Sequence, residues 1–350
     1  MFLTFFGYID ILVCQLDSYL KKILFYPRKL VKVLLEEDRD MNIGQLINQI
    51  ALMFCLMLVG ILINKLKFMH SQTSSDLTNV LLYIVSPCLI INAFEQPYSQ
   101  SRIRQFILAA IGVVVLYVIE IIVVKLIFGR LKNENLKRIT QYGSIYSNAG
   151  FMGIPLISSL FGSKGVFFAV VSLAGFNIFS WTQGVSLFKD TKNGTSEKIS
   201  WRQVLLNPNI IAIVLGIFIF AFSIRIPNMP NQVIKYVGSI NTPLSMIVIG
   251  NSLANIKFTK DMLNKEIGLT ILLRNLIFPI ISIFLLKIIG VTGIAFYTTI
   301  VMAACPVAGL VVLFTLQAHG DAAPAISVMS LSTILCLITI PLVFALGTIL

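Results

Sequence analysis

The chain has 350 residues, 57% of them hydrophobic and 12% charged, with a net charge of +12. Soluble domains carry about a quarter charged residues, so this composition excludes a water-soluble protein and leaves little room for a separate soluble domain. In a soluble chain the positive charge would suggest nucleic acid. Here Lys and Arg sit in short connections beside apolar runs, where they set membrane orientation, and no nucleic-acid partner is expected.

Residues 1–40 differ from the rest. Met1 to Leu20 is apolar but carries Asp10 and Asp17, each costly at mid-bilayer. KKILFYPRKLVKV, basic and amphipathic, follows and ends in EEDRD. Three readings stand open for this extension: an extra helix, a segment lying on the membrane surface, or translation that starts at Met41. From Met41 onward, apolar runs of spanning length predict ten transmembrane helices. These lie approximately at 44–65, 77–95, 106–128, 139–161, 164–188, 204–223, 232–253, 266–289, 293–317 and 323–348. The connections after the odd-numbered spans carry thirteen Lys and Arg, those after the even-numbered spans six. The positive-inside bias puts the odd connections in the cytoplasm, the 189–203 loop among them, and both ends of the ten-span core outside.

The two halves repeat. LVGILI (58–63) aligns with VLGIFI (214–219), Gly60 over Gly216, and Pro87 falls over Pro243 at the same offset of 156. The offset then slips by two: Gly162 falls over Gly320, and VVSL (170–173) over VMSL (328–331). Five spans per repeat is an odd number, so the repeats, 41–188 and 204–350, enter the membrane from opposite sides, a layout typical of secondary transporters.

Chemistry-bearing motifs are scarce. The five cysteines (Cys14, Cys55, Cys88, Cys305, Cys336) have no metal or redox spacing, and the two histidines lie near segment ends. Nothing matches HExxH, GxSxG or a phosphate loop. No enzyme activity, metal, cofactor or disulfide is expected. The informative stretch is SNAGFMGIPL (147–156), which puts Asn148, Gly150, Gly153 and Pro155 inside the fourth span. Its repeat equivalent is CPVAGLVVLF (305–314), with Pro306 and Gly309. Irregular backbone at membrane depth is tolerated only where protein or a water-filled cavity covers it. Two breaks entering from opposite faces would meet near the midplane, and the half-helices that follow would turn their N-terminal dipole ends inward, favouring an anion. The Asn148 amide would add a directional hydrogen bond without fixed charge. Pro279 and Pro341, and also Pro87 and Pro243, read as simple kinks.

NAGFMGIPL with AACPVAGLVVLF resembles the auxin efflux carrier family, which includes the plant PIN auxin carriers and bacterial permeases linked to malate or malonate. NTPLSMIVIGNSL (241–253) and STILCLITIPLVFAL (332–346) share the resemblance, which covers Met41 to Leu350. It implies an all-α polytopic fold of ten helices in two inverted five-helix repeats with broken, crossing helices 4 and 9. Spans 1, 2, 6 and 7 would form a scaffold able to make a homodimer; spans 3–5 and 8–10 would form a mobile transport domain. Small organic anions would move by an elevator-like shift. Two departures stand out: the long cytoplasmic loop of many plant carriers is missing, and no Asn stands beside Pro306.

Other polar residues fall within predicted spans. Glu120 in span 3 and Arg274 in span 8 are candidates for proton coupling and substrate contact, or for a structural ion pair. Asn177, Ser180 and Gln183 in span 5 share a face that either lines the pocket or hydrogen-bonds a neighbouring helix. The expectation is a multi-pass carrier for a small carboxylate in a bacterial plasma membrane. Within transporters the alternative is a sodium-coupled symporter resembling the bile-acid family, which shares this architecture. From another class, a channel or a membrane sensor would bind without transport.

Overall fold

A computed structural model describes residues 43–188, 206–254 and 264–350, so the expectations for residues 1–40 and for the 189–203 loop fall outside the described residues. Its helices are α1 (Ile43–Lys65), α2 (Ser71–Val80), α3 (Ser86–Phe94), α4 (Gln100–Phe128), α5 (Glu134–Ile145), α6 (Ile154–Phe179), α7 (Val185–Leu187), α8 (Pro208–Ala221), α9 (Asn228–Ser239), α10 (Asn241–Ala254), α11 (Lys265–Leu272), α12 (Phe278–Ile289), α13 (Gly293–Ala303), α14 (Leu310–Gln317) and α15 (Ala323–Ile349). Among the described residues, seven continuous helical runs are long and apolar enough to cross a membrane, and α8 and α13 are shorter apolar helices. Several helices begin before the apolar run that predicts them: the second at Ser71 rather than 77, the third at Gln100 rather than 106 and the fourth at Glu134 rather than 139. Their first turns are polar, and apolar length alone does not register them. Asn133 marks one such start, its side chain accepting the N–H of Leu136 at 3.0 Å.

Three prolines act locally in the same way. Pro87, Pro155 and Pro279 each follow by two residues a single π-helical turn: Leu81–Val85, Ala149–Gly153 and Leu273–Ile277. Proline lacks an N–H and its ring crowds the carbonyl four residues back. Widening the preceding turn relieves that clash without ending the helix. A fourth π-turn, Ser180–Gly184, has no proline after it.

The run from Ala149 to Leu187 doubles back. Gly162 has φ +58° and ψ −150°, a region essentially restricted to glycine. A straight helix would hold Tyr146 and Phe179 about 50 Å apart at 1.5 Å per residue. Instead the Tyr146 hydroxyl donates to the Phe179 carbonyl at 3.0 Å. The segments before and after Gly162 therefore lie side by side.

Polarity is inverted relative to a soluble protein. Leu126, Ile288, Tyr236 and Phe218 are exposed, while Glu120, Arg274, Asn275 and Thr298 are buried. α1 packs on α10 through glycines: a Cβ at Gly60 would strike the Ile247 carbonyl, and one at Gly250 the Met57 carbonyl. Such close backbone approach is how membrane helices gain dispersion contact. Likewise α8 lays Gly216 against the Phe94 ring of α3.

Candidate functional site

The site begins where two helices stop. α5 ends at Ile145 and the next helical turn begins at Ala149. α13 ends at Ala303, and α14 begins at Leu310. The extended residues between them pair: Ser147 and Val307 form an antiparallel bridge. The Asn148 N–H donates to the Pro306 carbonyl at 2.6 Å, and the Ala308 N–H to the Tyr146 carbonyl at 2.9 Å. Backbone groups that would be orphaned in lipid thus satisfy one another. On the far side, Ser332 Oγ of α15 accepts the Val307 N–H at 3.0 Å and donates to Asn275 Oδ1 at 2.6 Å. The Asn275 amide returns a bond to the Ser332 carbonyl at 3.0 Å.

A cavity of about 150 Å³ opens at this pairing. Asn148, Phe151 and Gly309 come from the interrupted segments, Met329 and Thr333 from α15. Thr78 of α2 and Val248, Ile249, Ser252 and Leu253 of α10 also line it, and among the described residues the lining contains no charged side chain. Asn148 caps the helical turn that begins at Ala149: its Oδ1 accepts the Phe151 N–H at 3.3 Å, and its carbonyl accepts Met152 and Gly153 N–H at 3.2 and 3.0 Å. Gly309 stands at the N-cap of α14.

The remaining sequence-predicted residues divide. Gly153 is a contact between the two interrupted segments, since a Cβ there would lie 2.6 Å from Met302 Sδ and 3.3 Å from Cys305 Sγ. Gly150 has ordinary room, its nearest neighbour being Leu173 Cδ1 at 3.6 Å. The Pro155 carbonyl accepts the Thr242 hydroxyl at 3.3 Å, joining α6 to α10. Asn177 and Gln183 are not among the residues lining this cavity. Asn177 Nδ2 donates to the Leu173 carbonyl at 3.0 Å, and its Oδ1 accepts Asn207 Nδ2 at 3.3 Å. Gln183 Oε1 accepts the Tyr146 hydroxyl at 2.5 Å, and Ser180 shares a 2.7 Å bond with the Tyr142 hydroxyl. Of the two uses open to that polar face, Ser180 and Gln183 take helix–helix hydrogen bonding, against α5 and the residue that follows it.

Glu120 and Arg274 lie together, away from the Asn148 cavity. Arg274 Nη1 is 3.4 Å from Glu120 Oε1, with the two side chains 2% and 1% exposed. Nη1 also donates to the carbonyls of Ile145 (2.6 Å) and Ser144 (3.4 Å), and Nη2 donates to that of Ala303. A void of about 20 Å³, enough for one water, adjoins Glu120, Arg274, Ser147 and Thr299.

Several residues at the pairing and its cavity carry little signal in the sequence. Thr78 lies near the end of α2, at the very start of the second apolar run, where nothing in the sequence sets it apart from an ordinary helix-end threonine. Asn275 follows Arg274 in the π-helical turn Leu273–Ile277, and Ser332 lies beside Thr333 and two residues after Ser330 in α15; polar residues in a membrane span are a signal in themselves.

Comparison with known proteins adds the family. A family model described as membrane transport protein matches residues 45–344. An uncharacterized transporter of Methanothermobacter thermautotrophicus is 24% identical over 296 residues, covering 82% of this chain and 93% of that protein. The uncharacterized transporter MJ1031 of Methanocaldococcus jannaschii is 24% identical over 213 residues, covering 59% of this chain and 68% of its own length. A helical chain with an apolar exterior, interrupted helices paired in its interior and a family match over most of its length is a multi-pass integral membrane protein; the chain belongs to the membrane transport protein family, the auxin efflux carriers that its NAGFMGIPL stretch resembles.

Proposed function

We propose that the chain is a secondary carrier for a small organic anion, a carboxylate, built as ten membrane crossings in two inverted repeats. The cavity between Asn148 and Gly309 carries this reading. Each of these residues stands where a helical segment begins, so positive dipole ends gather there. With no charged side chain among the described lining residues, this partial positive charge is the attraction they offer to an anion. Phe151 N–H engages the Asn148 oxygen, which leaves the amide NH₂ as the donor for a carboxylate. At about 150 Å³ the cavity is smaller than the roughly 300–1,000 Å³ of sites for drug-sized ligands, which suits a compact acid such as malate or malonate.

Two observations support the inverted repeat. The sequence offset of 158 puts Asn148 over Pro306, and these two residues are hydrogen-bonded to each other. A two-fold axis between them requires the antiparallel pairing that links 146–148 to 306–308. Counting the turn at Gly162 and the paired interruptions, the helices fit ten crossings. The cavity walls support an elevator: Asn148, Gly309 and Met329 belong to the proposed transport domain, Thr78 and Val248 to the proposed scaffold. Sliding one set past the other would expose the site alternately.

Counterflow uptake of labelled malate into proteoliposomes, chased with a panel of unlabelled carboxylates, tests this reading. Saturable exchange, equal in sodium and choline salts and competed by part of the panel, is expected. Conductance in a planar bilayer with no saturable exchange of any panel member would overturn it in favour of a channel.

A further inference from the structure

We infer that Arg274 is a tethered cation, a side chain that permanently fills a cation site formed by the ends of both interrupted helices. The site consists of the Glu120 carboxylate and the backbone carbonyls of Ser144, Ile145 and Ala303. Ser144 and Ile145 are the last two residues of α5, and Ala303 is the last of α13. The last four carbonyls of a helix have no partner within it, and they carry the negative end of its dipole. Two such ends facing each other at membrane depth repel and are unsolvated. A cation between them removes both problems.

Guanidinium suits this position better than any other side chain. It is planar, stays charged, and offers five donors in a fixed fork. Nη1 takes Ile145 and Nη2 takes Ala303. These two carbonyls are 158 residues apart, the offset that relates the repeats. The fork, itself two-fold symmetric at its Nη groups, therefore meets two repeat-equivalent carbonyls with equivalent donors. One arginine is enough for both helix ends, and the other repeat supplies Glu120 from α4 to balance its charge. Arg274 is thus a positioning residue: it fixes the separation of the helix ends on whose far side Asn148 and Pro306 pair. The inference draws on the carrier reading for the repeat relation and for what this clamp serves, and its test reads folding, so either can fail without the other.

The test is thermal unfolding of the purified full chain and of Arg274→Ala, each prepared in tetramethylammonium or in millimolar guanidinium salt. Arg274→Ala should unfold several degrees below wild type in tetramethylammonium and recover most of that loss in guanidinium, while wild type is indifferent to the exchange. A residue that merely fills space would not show cation-selective rescue. An unchanged Tm in the variant, or a lowered Tm that guanidinium leaves untouched, would overturn the inference. Should Arg274→Ala not accumulate, Arg274→Lys carries the test: a single ammonium keeps the charge but lacks the fork that joins both helix ends. Its Tm should fall below wild type, and a wild-type Tm would overturn the assignment.

Discussion

Asn148 gives its backbone N–H to the Pro306 carbonyl at 2.6 Å. Pro306 has no N–H of its own, which helps end α13, yet its carbonyl must still be satisfied in a water-free interior. The interruption of one helix thus supplies the partner that the other needs. The same contact holds Asn148 at the cavity wall, with its side chain capping the next helical turn.

If the Asn148 amide donates to a bound carboxylate, Asn148→Ala should weaken apparent affinity about 10- to 100-fold, from the about 1.5–3 kcal/mol of a hydrogen bond to a charged group. Asn148→Asp should abolish uptake by placing a negative charge against an anion. Competition curves in the counterflow assay give both values. Unchanged affinity in Asn148→Ala would remove the residue from the site.

Removing one partner of a buried ion pair is costly, about 3–5 kcal/mol, so Glu120→Gln should lower Tm clearly. Replacing an isolated buried pair by apolar residues is often neutral. Here the double variant Glu120→Leu/Arg274→Met should remain destabilised, because the carbonyls of Ile145 and Ala303 lose their donor as well. Calorimetry of the double variant is decisive: wild-type stability would mean those carbonyls do not depend on Arg274.

Gly60→Ala would drive a methyl into the Ile247 carbonyl, a backbone atom that cannot rotate away. A loss of about 1–3 kcal/mol is expected from overpacking, together with a looser α1–α10 contact. Gly150→Ala, whose Cβ would meet only Leu173 Cδ1 at 3.6 Å, should keep near-wild-type stability. Equal Tm values for the two variants would contradict the close approach of α1 and α10.

Ser332→Ala removes the acceptor of the Val307 N–H and a partner of Asn275. Leaving a buried N–H unsatisfied costs about 1–3 kcal/mol. Hydrogen exchange should show Val307 and its neighbours opening faster than in wild type, while exchange in α1 stays unchanged. Protection at Val307 equal to wild type would count against the role given to Ser332.

The sequence by itself determined the class of the protein and the places where its helices break. Apolar run length is a local property, and so is the effect of Pro155, Pro306 and Gly162 on the backbone. What polar residues do inside the membrane was decided only by tertiary structure. Gln183 could equally line a pocket or bond a neighbouring helix until packing set its oxygen 2.5 Å from the Tyr146 hydroxyl. Arg274 is the charge in the middle of span 8, but its carbonyl partners at Ser144 and Ile145 are about 130 residues away in sequence. No periodicity encodes such distant pairings. They arise because a membrane interior offers no water, so each buried donor must find whichever acceptor the folded chain brings within reach.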